Sequence, residues 1–138
     1  MVNRQHVEQG LHDRAVKDIA RVRFAGGNWV NKVVYTNPNG EHNLGVNTGH
    51  TTLYPDLVIV QRSTRVLTEV VEVETASSVS EYEAPQWRDY SKFGVPLYLY
   101  VPLGWGEAAK RISRNLKIGV SYFREWSYDN GRLIVREI

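Results

Sequence analysis

Hydrophobic positions change their spacing several times along this chain. Between residues 4 and 23 they recur at Val7, Leu11, Ala15, Val16, Ile19, Ala20 and Val22–Phe24, with polar residues on the opposite face. That is the period of an amphipathic helix. Ala25-Gly26-Gly27-Asn28 stops it. Trp29–Tyr35 reads as a strand, and Thr36-Asn37-Pro38-Asn39-Gly40 as a turn, since Asn-Gly supplies the positive φ that tight hairpins need. Residues 41–52 are rich in Gly, Asn and Thr and predict only a short strand near Leu44–Val46 and a loop. Leu57–Arg62 and Val66–Glu74 are apolar, Val-rich runs with a short connection, which predicts an antiparallel hairpin.

Helix formers then occupy Ser77–Phe93, with Ser78 or Ser80 as candidate caps. Pro85 suits the first position of the helix proper, and Gly94 ends it. Pro96–Val101 reads as a buried strand and Trp105–Leu116 as a helix. Val120–Trp126 and Arg132–Glu137 read as strands joined through Asn130-Gly131. The order is helix, strands, helix, strand, helix, hairpin. This predicts one α/β domain over residues 1–138, a mixed central sheet flanked by helices with a C-terminal β-hairpin. The segment from Glu74 to Pro96 is long enough for a crossover between parallel neighbours.

Composition narrows the function classes. The chain has 138 residues, 42% hydrophobic and 23% charged, enough to bury a core without staples. It has no cysteine, which excludes a thiol nucleophile and a Cys-based zinc site. The polar start, MVNRQHVEQGLHDR, lacks the apolar core of a signal peptide, and no apolar run approaches membrane-spanning length. A cytoplasmic protein without a membrane partner is expected. The net charge of +2 permits nucleic-acid binding without requiring it. His6 and His12 are six apart and do not share a helix face, so no HExxH-type zinc site is present. His50 lies in the loop before Asp56.

Acidic residues break the pattern where burial is expected. Glu72 and Glu74 are two apart on a strand and share a face, opposite Val71 and Val73. Asp56 stands at the start of the preceding strand, so a hairpin sets it across from Glu72–Glu74. Three carboxylates at one end of a sheet repel one another unless a cation lies among them. A hard divalent cation such as Mg²⁺ or Mn²⁺ accepts such oxygen ligands and supports hydrolysis of phosphate esters. The other reading makes Glu72 and Glu74 the solvated face of an edge strand, with Asp56 capping a turn after Pro55.

Pro55-Asp56, a hairpin, Glu72-Val73-Glu74, a helix and a strand resemble the PD-(D/E)XK nuclease superfamily, the restriction-endonuclease-like fold. Asp56 matches the first motif position and Glu72 the second. Glu74 stands where the family has Lys, which there positions the attacking water; a Glu at 74 supplies no positive charge. Lys92 is a candidate substitute cation. Gln86 and Tyr90 form Q-x-x-x-Y, similar to a motif of the RecB-like and Cas4-like branches that lines the site. Glu8 is similar to a helical acidic residue placed near the metal in many members. The chain is similar, more loosely, to Uma2-like proteins of the same superfamily. The resemblance implies a Mg²⁺ (or Mn²⁺) site at Asp56, Glu72, Glu74 and Glu8, with Gln86 assisting. It implies a nucleic-acid substrate, DNA before RNA, and a homodimer as the form that cuts both strands. Its alternative is a catalytically inactive member acting as a nucleic-acid-binding or protein-interaction module. Lys110, Arg114 and Lys117, beside Arg111, would be either a solvated helix face or phosphate contacts.

Overall fold

The computed structural model describes residues 4–138. Helix α1 (His6–Arg23) opens the fold and is followed by strand β1 (Lys32–Thr36). Two short strands, β2 (Val46–Asn47) and β3 (Thr52–Leu53), pair only with each other. Then come β4 (Leu57–Gln61), β5 (Leu67–Val73), α2 (Ala84–Ser91), β6 (Leu97–Pro102), α3 (Gly106–Asn115), β7 (Tyr122–Asp129) and β8 (Arg132–Glu137). The main sheet runs β1-β4-β5-β6-β7-β8. Its pairs are antiparallel at β1/β4, β4/β5 and β7/β8 and parallel at β5/β6 and β6/β7. The fold is therefore α/β with a mixed sheet, and β7–β8 form the C-terminal hairpin. Among the described residues no helix is long and apolar enough to cross a membrane.

Strand alternation builds two cores, one on each face of the sheet. Leu57, Ile59, Val71, Val73, Tyr100 and Trp126 point to the face covered by Ala15, Val16 and Ile19 of α1. Val70, Leu97, Leu99 and Val101 point to the other, covered by Trp87 and Tyr90 of α2 and Ala109 and Ile112 of α3. The helix connecting β5 to β6 is what allows these two strands to lie parallel, since a tight turn cannot reverse the chain twice.

The sequence reading needs correction in several places. The buried stripe of α1 is His12, Ala15, Val16 and Ile19, while Val7 and Leu11 face solvent. The helix is rotated so that a histidine, not Val7 or Leu11, continues the buried face, because a carboxylate waits beneath it. The helix in segment 77–93 begins at Ala84 with Pro85 in its first turn, as Pro85 predicts, but the residues before it hold a separate 3-10 turn at Ala76–Ser78. The strand placed at Trp29–Tyr35 starts later, since Gly27–Trp29 forms a 3-10 turn. Asn39 and Gly40 adopt the expected positive φ, 48° and 73°, but no hairpin follows. Strand β1 pairs instead with β4, whose Leu57–Val60 offers a buried partner that the polar segment 41–52 cannot.

Candidate functional site

Asp56 begins β4 directly across from the end of β5. The register Leu57↔Val71 and Val58↔Val70 brings the start of one strand to the finish of the other. The Asp56 N–H donates to Glu72 Oε1 at 3.0 Å. In return, Asp56 Oδ2 accepts from the Val73 N–H at 2.8 Å. Two residues with their side chains at the strand ends thus replace ladder bonds with carboxylate bonds.

Glu72 lies on the α2/α3 face with Val70, as period-2 alternation requires. Glu74 follows β5; its N–H donates to the Tyr100 carbonyl at 2.8 Å, and its carbonyl accepts from Trp126 Nε1 at 3.1 Å. These anchors hold its backbone inside the sheet. Asp56, Glu72 and Glu74 are 8%, 5% and 0% exposed, which rules out the reading of Glu72 and Glu74 as a solvated edge face. Strand β5 lies between β4 and β6 and is not an edge strand.

Crowding and burial shift these groups in one direction. Burial first, then the charges of Asp56 and Glu74, pushes the Glu72 carboxyl well above the usual carboxylate range. Burial and the Asp56 charge push Glu74 up to about 8. Neither carboxylate oxygen of Glu74 has a hydrogen-bond partner among the described residues. A buried carboxyl without partners is costly in either charge state, more so when ionised.

His12 enters from α1. Its Nε2 lies 3.2 Å from Asp56 Oδ2 and its Nδ1 3.0 Å from Asp13 Oδ1. Burial disfavours the imidazolium, but the hydrogen bond and charge of Asp56 outweigh it and raise the pKa above the ordinary histidine value. An imidazolium donates to both carboxylates at once, whereas the neutral ring serves only one. Arg4, just before α1, donates from Nε to Thr75 Oγ1 at 2.9 Å and from a terminal nitrogen to Ser78 Oγ at 3.3 Å. It contributes positive charge at Glu74.

Asp56 and Glu72 face a cavity of about 510 Å³, which also reaches His12, Arg4, Gln86 and Tyr90. Gln86 and Tyr90 project from one face of α2, and Gln86 Nε2 donates to Tyr90 Oη at 3.0 Å. Burial, then the charges of Glu72, Asp56 and Glu74, raises the Tyr90 phenol, so it stays protonated. The opposite wall carries His42 stacked on Tyr54, ring centroids 3.7 Å apart and planes 6° apart. Asn37 positions the Asp56 turn. Its Nδ2 donates to the Pro55 and Leu44 carbonyls, both at 2.8 Å, and its N–H donates to the Asp56 carbonyl at 2.9 Å.

The structure thus brings Asp56, Glu72 and Gln86 to one cavity, while Glu74, fully buried, does not line it. Glu8 lies nearby but outside the cavity lining, and its carboxylate accepts from the Thr75 and Ser77 hydroxyls. Burial raises the Glu8 pKa, but these bonds and the Arg4 charge more than offset it and hold it low. Lys92 and His50 do not line the cavity; Lys92 caps the C-terminus of α2. Positive charge at Glu74 comes instead from Arg4 and His12, at the N-terminal side of the chain. His12, Arg4 and Asn37 were not legible as site residues. The one available signal was His12 itself, spaced i, i+3, i+4, i+7 with Ala15, Val16 and Ile19.

The donor set is acidic and all-oxygen, which suits a hard divalent cation, and the partnerless Glu74 carboxyl fits such an ion. Among the described residues, no group of three or more His, Cys, Asp or Glu side chains is drawn together at ligand spacing. Holding an ion would require these carboxyls to turn toward one point. Comparison with known proteins adds no constraint: no family model, curated protein or solved structure matches the chain.

Proposed function

We propose that this chain is a metal-dependent nuclease-like domain with a restriction-endonuclease-like core, acting on phosphodiester bonds of nucleic acid, DNA before RNA. The observation that carries this reading is the pairing of Asp56 with Glu72 beside a buried Glu74 whose carboxyl has no hydrogen-bond partner among the described residues. Carboxyls held this close and this dry are destabilising unless a function retains them. Asp56, Glu72 and Glu74 would hold Mg²⁺ or Mn²⁺. A bound divalent ion supplies charge stabilisation for a phosphoryl group and lowers the pKa of water.

The protein's own groups have separable tasks in this reading. Glu74 would be the third oxygen donor, since both its carboxyl oxygens are buried without a hydrogen-bond partner among the described residues. His12 holds Asp56 in place through Oδ2 and neutralises part of its charge. Gln86 and the protonated Tyr90 offer an amide and a hydroxyl to phosphate or sugar oxygens entering the cavity.

A second reading rests on the partners that Asp56 Oδ2 already has. That oxygen accepts from the Val73 N–H and lies 3.2 Å from His12 Nε2, so a protein cation already offsets part of the charge an ion would meet. This favours a catalytically inactive member of the same fold that binds nucleic acid or a protein. Titration calorimetry with Mn²⁺, wild type beside Asp56→Asn, tests the difference. Binding that weakens at least ~10-fold in the variant supports the metal site and is followed by cleavage assays on linear, supercoiled and single-stranded DNA. No heat in either protein, with or without an oligonucleotide, favours the inactive module.

A further inference from the structure

A separate cavity of about 550 Å³ lies between the C-terminal half of α1 and the edge strand β1. It shares no lining residue with the carboxylate cavity. Its accessible apolar surface comes from Trp29, Val30 and Val34; Phe24, 3% exposed, lies behind them, its ring edge-to-face with Trp29 at 4.8 Å. Every charged residue that lines it is basic: Lys17, Arg21, Lys32 and Arg62. Lys17 and Arg21 are four apart on α1 and so share one helix face. The volume falls in the range of small-molecule sites, about 300–1,000 Å³.

The four cations are not equivalent. Lys32 is committed, 2.7 Å from Glu69 and 4.8 Å from the Trp29 ring centroid, and forms a fixed wall. Arg21 lies 3.3 Å from Asp18. Lys17 and Arg62 are exposed and have no carboxylate partner among the described residues. Basic residues in the last turn of a helix offset its dipole, which accounts for Arg21. It does not account for Lys17, one turn earlier, for Lys32 on β1, or for Arg62 in the turn after β4.

We infer that this cavity binds a nucleotide, the base against Trp29 and Val30 and the phosphate between Lys17, Arg21 and Arg62. A bare anion would leave the apolar surface unused, and an uncharged aromatic would leave the cations uncompensated. A flat ring joined to a phosphate satisfies both. Free mononucleotides and nucleotides within a strand present the same chemistry. The inference does not depend on the carboxylate site.

Calorimetry with AMP, adenosine and inorganic phosphate tests it on the full chain, wild type beside Lys17→Glu/Arg62→Glu and Trp29→Leu. Both basic side chains are exposed, so the charge reversal leaves the core intact, and a thermal melt verifies this. The expected result is AMP binding at a Kd below ~1 mM, with adenosine and phosphate each at least ~10-fold weaker. Both variants lose at least ~10-fold. A short oligonucleotide bound more tightly than AMP through the same residues assigns the site to strands; equal affinity assigns it to free nucleotides. AMP binding no tighter than phosphate, or unchanged in the charge-reversed variant, overturns the inference.

Discussion

Asp56 and Glu72 exchange backbone and side-chain roles at the end of the β4/β5 ladder. The N–H of Asp56 is held by the Glu72 carboxyl, while the Asp56 carboxylate holds the N–H one residue beyond Glu72. Two acidic side chains therefore occupy positions where an ordinary sheet would place backbone carbonyls. The consequence is a local concentration of carboxyl groups that the strand geometry itself enforces.

That arrangement makes Asp56 structural as well as acidic. Asp56→Asn keeps an acceptor for the Val73 N–H and removes the charge, whereas Asp56→Ala leaves that buried donor unpaired. We expect the Ala variant to be less stable than the Asn variant by ~1–3 kcal/mol, measured by urea unfolding. Equal stabilities would mean that the Val73 N–H finds water or another acceptor.

Glu74 should make stability fall with rising pH. Its pKa is about 8 in the folded protein against an ordinary 4.5. Between these values the unfolded chain ionises Glu74 while the folded chain keeps its proton, so stability is lost across that window as pH rises. Glu72, shifted the same way, adds to the slope. Glu74→Gln flattens it in unfolding curves recorded between about pH 5 and about pH 8. A slope identical to wild type would place the titration elsewhere. If the metal site is real, Mn²⁺ opposes the loss at the alkaline end by binding only the folded state.

His12 should act in the same direction for a different reason. Its pKa is raised in the folded protein, so its contribution is complete below the ordinary value of 6.5 and is lost as pH rises through the raised value. His12→Ala is therefore expected to cost more stability near pH 6 than near pH 9, beyond the constant cost of the cavity it leaves. A penalty independent of pH would show that the neutral ring does the holding.

Gly106 tests the support beneath α3. The N–H groups of Gly104 and Gly106 donate to Glu125 Oε2 at 3.1 and 2.8 Å, capping the helix from β7. A Cβ on Gly106 would lie 2.8 Å from that oxygen and would collide with Ile138 Cδ1. Gly106→Ala gains at most ~1 kcal/mol of helix propensity, and overpacking of this kind costs ~1–3 kcal/mol. We expect a net loss, visible as a lower melting temperature, whereas Gly10→Ala, where a Cβ meets nothing within 4 Å, is expected to be neutral or stabilising.

The sequence by itself determined what depends on near neighbours in the chain. The periods of α1, β4, β5, β6 and α3 were legible because side-chain direction repeats with backbone geometry. So was the convergence of Asp56 with Glu72 and Glu74, since a short connection fixes which strand ends meet. Tertiary structure decided the rest. The partner of β1 could not be read, because pairing with β4 joins segments separated by the whole of 37–56. The rotation of α1, which buries His12 and exposes Val7 and Leu11, depends on Asp56, 44 residues away. Arg4 reaches the site through Thr75 and Ser78, and Asn37 positions Asp56 through Pro55. Each of these is a choice of partner for a buried polar group. Hydrophobic spacing says where the chain must be buried; only the packed fold says which donor and acceptor then meet.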